Sequence, residues 1–271
     1  MKGMHQWYKW PLVLYIYLGI LLGGIVLNWI IPLDLKNWIT TSVYPFKHGN
    51  LINEIFAYHG NTIWSWIFLS LAIMNGYILT KEWDPLLVND NSMPNRKGKR
   101  QNLINIYKSF LLKFIAKNAL LFLLFMFIDR LFIWTGGHCA LDPSPSISNP
   151  RIIVDSELCR AQKGKWVGGF DISGHFCFLI NISLILWIEL YQLETWLAHH
   201  SLTWGQVYRD NKFIKYGHWI IITILSVWIF LLITTSVFYH TFLEKVLGYI
   251  LGHVGPLVMY YLIPHYFKTE L

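Results

Sequence analysis

The chain has 271 residues, of which 55% are hydrophobic, 17% are aromatic and only 14% are charged. A soluble domain carries about 25% charged residues, so this composition excludes an ordinary soluble protein and favours a membrane protein. The formal net charge of +7 is not carried by any separate polar module. We therefore expect attraction to anionic lipid headgroups rather than binding of nucleic acid.

The sequence contains six apolar runs of about 20 residues, the length needed to cross a hydrocarbon core of about 30 Å. Their approximate bounds are 11–31, 63–79, 118–134, 175–197, 217–238 and 246–263. The first run is long and lacks a small-residue cleavage site, so we interpret it as a retained span rather than a signal peptide. The prediction is an all-α integral membrane protein in which residues 1–271 form one bundle of six transmembrane helices.

The distribution of basic residues predicts the orientation of this bundle, because lysine and arginine in short loops favour the cytoplasmic side. One face collects 14 of them, namely Lys2, Lys9, Lys81, Arg96, Lys97, Lys99, Arg100, Lys108, Lys113, Lys117, Arg209, Lys212, Lys215 and Lys268. The opposite face collects 6, namely Lys36, Lys47, Arg151, Arg160, Lys163 and Lys165. We expect both termini to be cytoplasmic and the loops 32–62 and 135–174 to be lumenal or extracellular.

Charged residues within the apolar sequence call for an explanation. Lys108, Lys113 and Lys117 precede the third predicted span. They indicate either a basic amphipathic segment along the cytoplasmic interface or snorkelling lysines of a longer, tilted helix. Glu189 lies in the fourth span, about 21 Å from His175 by the rise of a helix. An intramembrane carboxylate is costly, and we interpret this one as structural rather than catalytic.

The predicted lumenal loop 135–174 contains two of the three cysteines, Cys139 and Cys159. An oxidising compartment would allow a disulfide between them, and two unpaired thiols are the alternative. Cys177 falls inside the fourth span, where a cysteine behaves as a small apolar residue.

The same loop ends in a sequence that favours anion binding. Ser173 and Gly174 precede the fourth span, where unpaired backbone N–H groups and the helix dipole form a cradle for an anion. His175 follows and can donate a hydrogen bond, or a proton, to a phosphoryl oxygen. The alternative is a simple helix N-cap with a histidine at the membrane interface.

A second histidine lies at the same predicted membrane face. His240 closes the fifth span, and a six-span topology returns it to the level of His175. Glu244 follows four residues later, where a helical turn makes the two side chains neighbours. A carboxylate there would fix the imidazole tautomer and raise its basicity. The alternative is two interfacial histidines that never meet.

Three blocks of the sequence resemble the fat storage-inducing transmembrane (FIT) family. They are residues 46–53, 158–176 and 239–248. The most specific is the run Phe-Asp-Ile-Ser-Gly-His at 170–175. The blocks cover every predicted lumenal element in order, and the chain length is similar to that of a short fungal-type member.

The resemblance implies an endoplasmic reticulum protein of lipid droplet biogenesis that is distantly similar to lipid phosphate phosphatases. Such proteins act as acyl-CoA diphosphatases, which cleave the CoA pyrophosphate to acyl 4′-phosphopantetheine and adenosine 3′,5′-bisphosphate. The two catalytic histidines of the family map onto His175 and His240. We expect His240, oriented by Glu244, to attack phosphorus or activate water, and His175 to protonate the leaving oxygen.

The chain departs from the wider phosphatase superfamily, which has a Ser-Arg pair before the second histidine, because no arginine occupies that place here. Lys47, Lys245 and Arg160 are the candidates for neutralising phosphate in its absence, together with the backbone at Ser173 and Gly174. No cofactor is implied. No carboxylate cluster with metal-ligand spacing is visible in the sequence either, so we expect chemistry without a metal.

A rival hypothesis is a non-enzymatic protein that binds neutral lipid or diacylglycerol and partitions it during droplet budding. Gly248, Gly252 and Gly255 in the sixth span bear on both hypotheses, since they form either an apolar slot or, as we prefer, a tight helix contact. The expected partners are the bilayer and a lipid or fatty acyl-CoA substrate. The sequence identifies no protein partner.

Overall fold

The computed structural model describes residues 11–47, 50–81, 83, 96–140 and 156–263. The predicted cytoplasmic termini, residues 1–10 and 264–271, lie outside the described residues. The helices in chain order are α1 (Pro11–Ile30), α2 (Leu33–Ser42), α3 (Leu51–Asn53), α4 (Gly60–Thr80), α5 (Arg96–Trp134), α6 (Ser156–Ala161), α7 (Gly174–His199), α8 (Trp204–Asp210), α9 (Lys212–Phe238) and α10 (Phe242–Leu257). Two π-helical segments, Glu54–Tyr58 and Val258–Leu262, continue α3 and α10, and the strands β1 (His138–Ala140) and β2 (Lys165–Val167) pair antiparallel.

Six helical segments of the described residues are long and apolar enough to cross a membrane. They are Val13–Ile30, Gly60–Thr80, Arg100–Trp134, Gly174–His199, Lys212–Phe238 and Phe242–Leu262. Each of the six predicted spans falls on one of these segments, in the same order. The prediction of a six-span helical membrane protein is therefore confirmed, with most boundaries shifted by a few residues.

The third span differs most from its prediction, because α5 is one continuous helix that begins at Arg96 rather than near residue 118. The segment Lys108–Lys117 is part of this helix, so the separate interfacial segment was wrong. The alternative, a longer helix, is confirmed, but two of its lysines do not snorkel, because Lys113 and Lys117 are buried. The ammonium of Lys117 lies 3.8 Å from the centre of the Trp64 ring and hydrogen bonds to Asn61, which replaces part of its hydration.

The most buried helix is α7, and its tightest neighbour is α10. Three glycines of α10 allow this approach, because a Cβ atom at Gly248, Gly252 or Gly255 would lie within 3 Å of α7 atoms. At Gly248, for example, it would meet the carbonyl oxygen of Ser173 at 2.6 Å. The glycine stripe is thus occupied by α7, and the slot interpretation of these residues was wrong.

Part of the predicted loop 32–62 lies between the helices rather than above them. The indole Nε1 of Trp228 donates a hydrogen bond of 2.9 Å to the carbonyl oxygen of Phe56. Trp228 precedes the end of α9 by ten residues, or about 15 Å along the helix. Residues 43–47 and 50–58, which we call the re-entrant segment, therefore descend into the bundle, where surrounding protein covers a backbone that lipid could not satisfy.

Glu189 joins three elements in the opposite half of the bundle. Its carboxylate accepts a hydrogen bond of 2.6 Å from Lys113 of α5 and another from the hydroxyl of Tyr260. The side chains of Glu189 and Lys113 are 3% and 4% exposed, so each charge depends on the other for compensation. Mutual burial explains how both remain in an apolar region, and it agrees with the structural role expected for Glu189.

Replacement of Lys113 by methionine tests this ion pair. It leaves Glu189 buried without its cation, and we expect a loss of about 3–5 kcal/mol in the free energy of unfolding. The double variant Lys113→Met/Glu189→Leu replaces both charges with apolar groups and should recover most of that loss. Thermal unfolding followed by tryptophan fluorescence in detergent measures both, with the exposed Lys108→Met as control. A double variant as unstable as the sum of the single variants would contradict the assignment.

Candidate active site

His240 lies in the turn between α9 and α10 and has a backbone φ of 60°, in the left-handed region. Non-glycine residues enter this region at a cost, so such conformations are concentrated at functional sites. The turn is fixed by Glu244, whose Oε2 atom accepts a hydrogen bond of 2.7 Å from the backbone N–H of Thr241. This contact caps α10 and holds the Glu244 carboxylate beside the preceding histidine.

Two carboxylates face the Nδ1 atom of His240. Glu244 Oε2 lies 3.5 Å from it and Asp171 Oδ2 lies 3.9 Å from it. The sequence indicated Glu244, whereas Asp171 comes from the connection between β2 and α7. Negative charge on this side stabilises a proton on Nδ1 and directs the opposite ring nitrogen, Nε2, away from the carboxylates.

The position of Asp171 has an electrostatic cost. The side chain remains 52% exposed, yet the partial loss of hydration raises the pKa of its carboxyl, His240 lowers this pKa and the nearby charge of Glu244 raises it. The net effect is a raised pKa, so folding disfavours the ionised form of Asp171.

His175 is placed by the first turn of α7 and by an asparagine from another element. Ser173 is the N-cap of this helix, and its hydroxyl accepts a hydrogen bond from the backbone N–H of Phe176. The Nε2 atom of His175 lies 2.8 Å from Oδ1 of Asn53 in α3. An amide oxygen only accepts hydrogen bonds, so with the amide in this orientation Nε2 carries the proton.

The re-entrant segment connects the surroundings of both histidines. Asn50 donates to the carbonyl oxygens of Pro45 and Lys47, and it accepts from the backbone N–H of Asn53. The hydroxyl of Tyr239, next to His240, donates a hydrogen bond of 2.7 Å to the carbonyl oxygen of Phe46. One segment is thus tied to the residue beside His240 and, through Asn53, to His175.

A cavity of about 90 Å³ lies between the two histidines. It is lined by Phe46, Lys47, Asn50, Asn53, Tyr58, His175, Leu231, Thr234, Thr235, Tyr239 and His240. Both predicted histidines line this one cavity. Lys47 adds a cation to the same wall, so the cavity combines two imidazoles with positive charge.

The predicted anion cradle at Ser173 and Gly174 loses one of its donors in the structure. Ser173 is buried, and its backbone N–H donates to the carbonyl oxygen of Glu244 while its hydroxyl caps α7. Neither Ser173 nor Gly174 lines the cavity. One N–H group that the sequence offered to an anion, that of Ser173, instead forms part of the contact between α7 and α10.

The three cations proposed for phosphate binding separate in space. Lys47 lines the cavity, whereas Lys245 is buried and donates a hydrogen bond of 2.7 Å to the carbonyl oxygen of Ser236. Lys245 therefore stabilises the end of α9 and does not reach the cavity. Arg160 is exposed and lies outside the cavity, with its guanidinium 3.6 Å from the centre of the Tyr58 ring.

Cys139 and Cys159 form a disulfide that joins β1 to α6. The described residues contain no group of three or more His, Cys, Asp or Glu side chains arranged to hold a metal ion.

Sequence reasoning missed Asn50, Asn53 and Tyr58 as site residues. The first two lie in the block 46–53, which was noticed for its resemblance to the family but not for the chemistry of its amides. His48 and Gly49 of this block lie outside the described residues.

These features define a multi-pass helical membrane protein with a polar, histidine-lined cavity near one end of the bundle. Residues 41–260 match the sequence profile described as fat storage-inducing transmembrane protein. The chain belongs to this FIT family. No solved structure matches it.

Curated relatives are similar to the chain over most of its length. The acyl-coenzyme A diphosphatase YFT2 of Saccharomyces cerevisiae is 34% identical over 256 residues, which cover 89% of this chain and 88% of the relative. The acyl-coenzyme A diphosphatase FITM2 of Xenopus tropicalis is 27% identical over 89% of this chain and 78% of the relative. The acyl-coenzyme A diphosphatase fit1 of Schizosaccharomyces pombe is 27% identical over 84% of this chain and 76% of the relative.

The raised pKa of Asp171 predicts a pH-dependent effect of Asp171→Asn on stability. Because folding disfavours the ionised carboxyl, the wild type loses stability as the pH rises from the unfolded-state pKa, near 3.9, through the folded-state pKa. We expect the variant to unfold at a higher temperature than the wild type near pH 7, and the difference to vanish toward pH 4. Thermal unfolding in detergent across this range measures it.

Asp34→Asn is the matched control, because Asp34 is an exposed carboxylate in the first turn of α2. This control should show no such pH-dependent difference. An Asp171→Asn variant that is less stable than the wild type near pH 7 would contradict the prediction, since attraction to His240 would then outweigh the cost of burial.

Proposed function

We propose that the chain is an acyl-CoA diphosphatase that hydrolyses the pyrophosphate of a fatty acyl-CoA at the cavity between His175 and His240. The observation that carries the proposal is that both histidines line one cavity together with Lys47. The names of the curated relatives support the substrate class.

His240 is the nucleophile or base of the proposed reaction. With Nδ1 facing Glu244 and Asp171, Nε2 is the nitrogen available to a phosphorus atom in the cavity. Attack forms an N–P bond and breaks the P–O bond to the leaving phosphate. Alternatively, Nε2 takes a proton from the water that attacks. Either route leaves positive charge on the imidazole, which the two carboxylates stabilise.

His175 is the general acid. Its Nε2–H group points at Asn53 Oδ1, and the leaving oxygen of a substrate would take the place of this amide oxygen. Protonated His175 then gives its proton to the leaving oxygen and becomes neutral. In the covalent route the neutral imidazole accepts a proton from water, which attacks phosphorus, breaks the N–P bond and releases the second product.

Lys47 takes the role of the missing superfamily arginine. It is the one of the three proposed cations that lines the cavity, so it neutralises the equatorial oxygens of the transferring phosphoryl group. Stabilisation of this charge is the main task of a phosphoryl-transfer site. Arg160 and Lys245 do not contribute to this step, because both lie outside the cavity.

We place the cavity on the lumenal side of the endoplasmic reticulum membrane, with both termini in the cytoplasm. The asymmetry of 14 to 6 basic residues supports this orientation. The disulfide between Cys139 and Cys159, on the same side as the site, is consistent with an oxidising compartment. Removal of acyl-CoA from this membrane is the proposed link to lipid droplet biogenesis.

Alanine variants of the histidines separate an enzyme from a non-enzymatic lipid binder. We expect His175→Ala and His240→Ala each to lower hydrolysis of oleoyl-CoA by roughly 10³-fold or more, because groups that act as a unit fail together. Glu244→Gln keeps the shape and an oxygen for the helix cap, so its loss should be smaller, about 10–100-fold. Release of adenosine 3′,5′-bisphosphate by purified protein measures turnover.

His199→Ala is the matched control, because His199 is exposed at the opposite end of α7. This control should keep full activity, and all four variants should keep the thermal stability of a folded protein. If both cavity variants retain wild-type hydrolysis, the enzyme proposal fails, and the protein that partitions neutral lipid or diacylglycerol replaces it.

Cysteine labelling tests the orientation. The wild type has one free cysteine among its three, the buried Cys177, so a new exposed cysteine dominates labelling of sealed microsomes. We expect Gln101→Cys to react with a membrane-impermeant maleimide from outside, and Lys163→Cys to react only after the membrane is opened. The reverse pattern would overturn the orientation and the lumenal position of the cavity together.

A further inference from the structure

The cavity is much smaller than the proposed substrate. Its volume of about 90 Å³ is smaller than that of an engineered protein cavity of roughly 150 Å³ that holds one benzene molecule. A phosphoryl group fits such a space, whereas an adenine nucleotide does not. If an acyl-CoA binds with its pyrophosphate between His175 and His240, its nucleotide must therefore lie against the protein surface outside the cavity.

Tyr58 and Arg160 form the surface next to the cavity. Tyr58 lines the cavity, and its ring makes an edge contact with the ring of His175, with 6.1 Å between the two ring centres. The guanidinium of Arg160 lies 3.6 Å from the centre of the same tyrosine ring. Arg160 is thus separated from His175 by the single aromatic ring of Tyr58.

The position of Arg160 is fixed by covalent and backbone contacts. Its neighbour Cys159 is buried and joined to Cys139 of β1. The carbonyl oxygens of Cys159 and Arg160 accept hydrogen bonds from Gly164 and Lys163, and Lys163 adopts a left-handed conformation with a φ of 56°. These contacts fix the backbone, and stacking on Tyr58 holds the guanidinium, so the side chain loses less conformational entropy when it binds an anion.

The charge around Arg160 suits a polyanion. Two further basic residues, Lys163 and Lys165, follow Arg160, and no carboxylate lies between residues 158 and 170. Within the described part of the chain no carboxylate forms an ion pair with Arg160. A guanidinium stacked on an aromatic ring keeps N–H groups at its edge, and these can bind a phosphate in a bidentate manner.

We infer that Tyr58 and Arg160 form a subsite for the 3′-phosphorylated nucleotide end of the acyl-CoA, with Arg160 binding its 3′-phosphate. The inference rests on the proposed function and assigns Arg160 to substrate recognition instead of the reacting phosphoryl group. The subsite explains how a cavity of phosphoryl size distinguishes a CoA ester from a simple lipid phosphate. Such a lipid presents no nucleotide to Arg160.

A pair of substrates that differ only in the 3′-phosphate tests the subsite. We expect Arg160→Ala to raise KM for oleoyl-CoA about tenfold with little change in kcat, since a charge-assisted hydrogen bond is lost on binding. The KM for oleoyl-3′-dephospho-CoA should change less than twofold in the same variant. Arg160→Lys should restore part of the discrimination, because it keeps the charge but not the bidentate geometry.

Arg130→Ala is the matched control, since Arg130 is an exposed arginine near the same end of the bundle as the cavity. This control should leave both KM values unchanged. An unchanged KM for oleoyl-CoA in Arg160→Ala, or an equal rise for both substrates, would overturn the subsite while leaving the proposed hydrolysis intact.

Direct binding of adenosine 3′,5′-bisphosphate separates the two proposals. If the wild type hydrolyses neither substrate, the proposed function fails, yet calorimetry still reports on the subsite. Binding by the wild type that Arg160→Ala weakens about tenfold supports the subsite. Absence of binding to the wild type, or equal affinity of both proteins, would overturn it.

Discussion

Close contact between α7 and α10 places the two histidines at one level of the bundle, and the rest of the site depends on it. The glycine stripe of α10 brings the two helices together, and the backbone N–H of Ser173 donates to the carbonyl oxygen of Glu244. This hydrogen bond aligns the start of one helix with the start of the other. His175 and His240 flank it, so a larger side chain at Gly248 would disturb both histidines at once.

A second constraint comes from the re-entrant segment, which closes the space between the helices. Its amide side chains satisfy its own turn through Asn50 and bind His175 through Asn53. The same segment contributes Lys47 to the cavity wall. Two helices alone would leave the histidines at an open edge, and the inserted segment converts that edge into a cavity of phosphoryl size.

The sequence predicted what depends on composition along the chain, and it failed where distant residues decide. The six spans followed from apolar length, but the start of α5 did not, because Lys113 is compensated by a glutamate 76 residues away. Ser173 looked available to an anion until its N–H was found to bind Glu244. Asn53 was missed as a partner of His175 because 122 residues separate them. In each case a contact with a residue far away in the sequence decided the role of a side chain or N–H group that the local sequence alone could not predict.

The depth of the cavity within the bundle has a consequence for the lipid substrate proposed above. Leu231 and Thr235 line the cavity seven and three residues before the end of α9, which is about 5–10 Å along the helix. A headgroup held at this depth sits below those of neighbouring lipids, and its acyl chain extends farther toward the opposite leaflet. The acyl chain length that suits the site therefore depends on the thickness of the bilayer. A thinner membrane favours a shorter acyl chain at the same site.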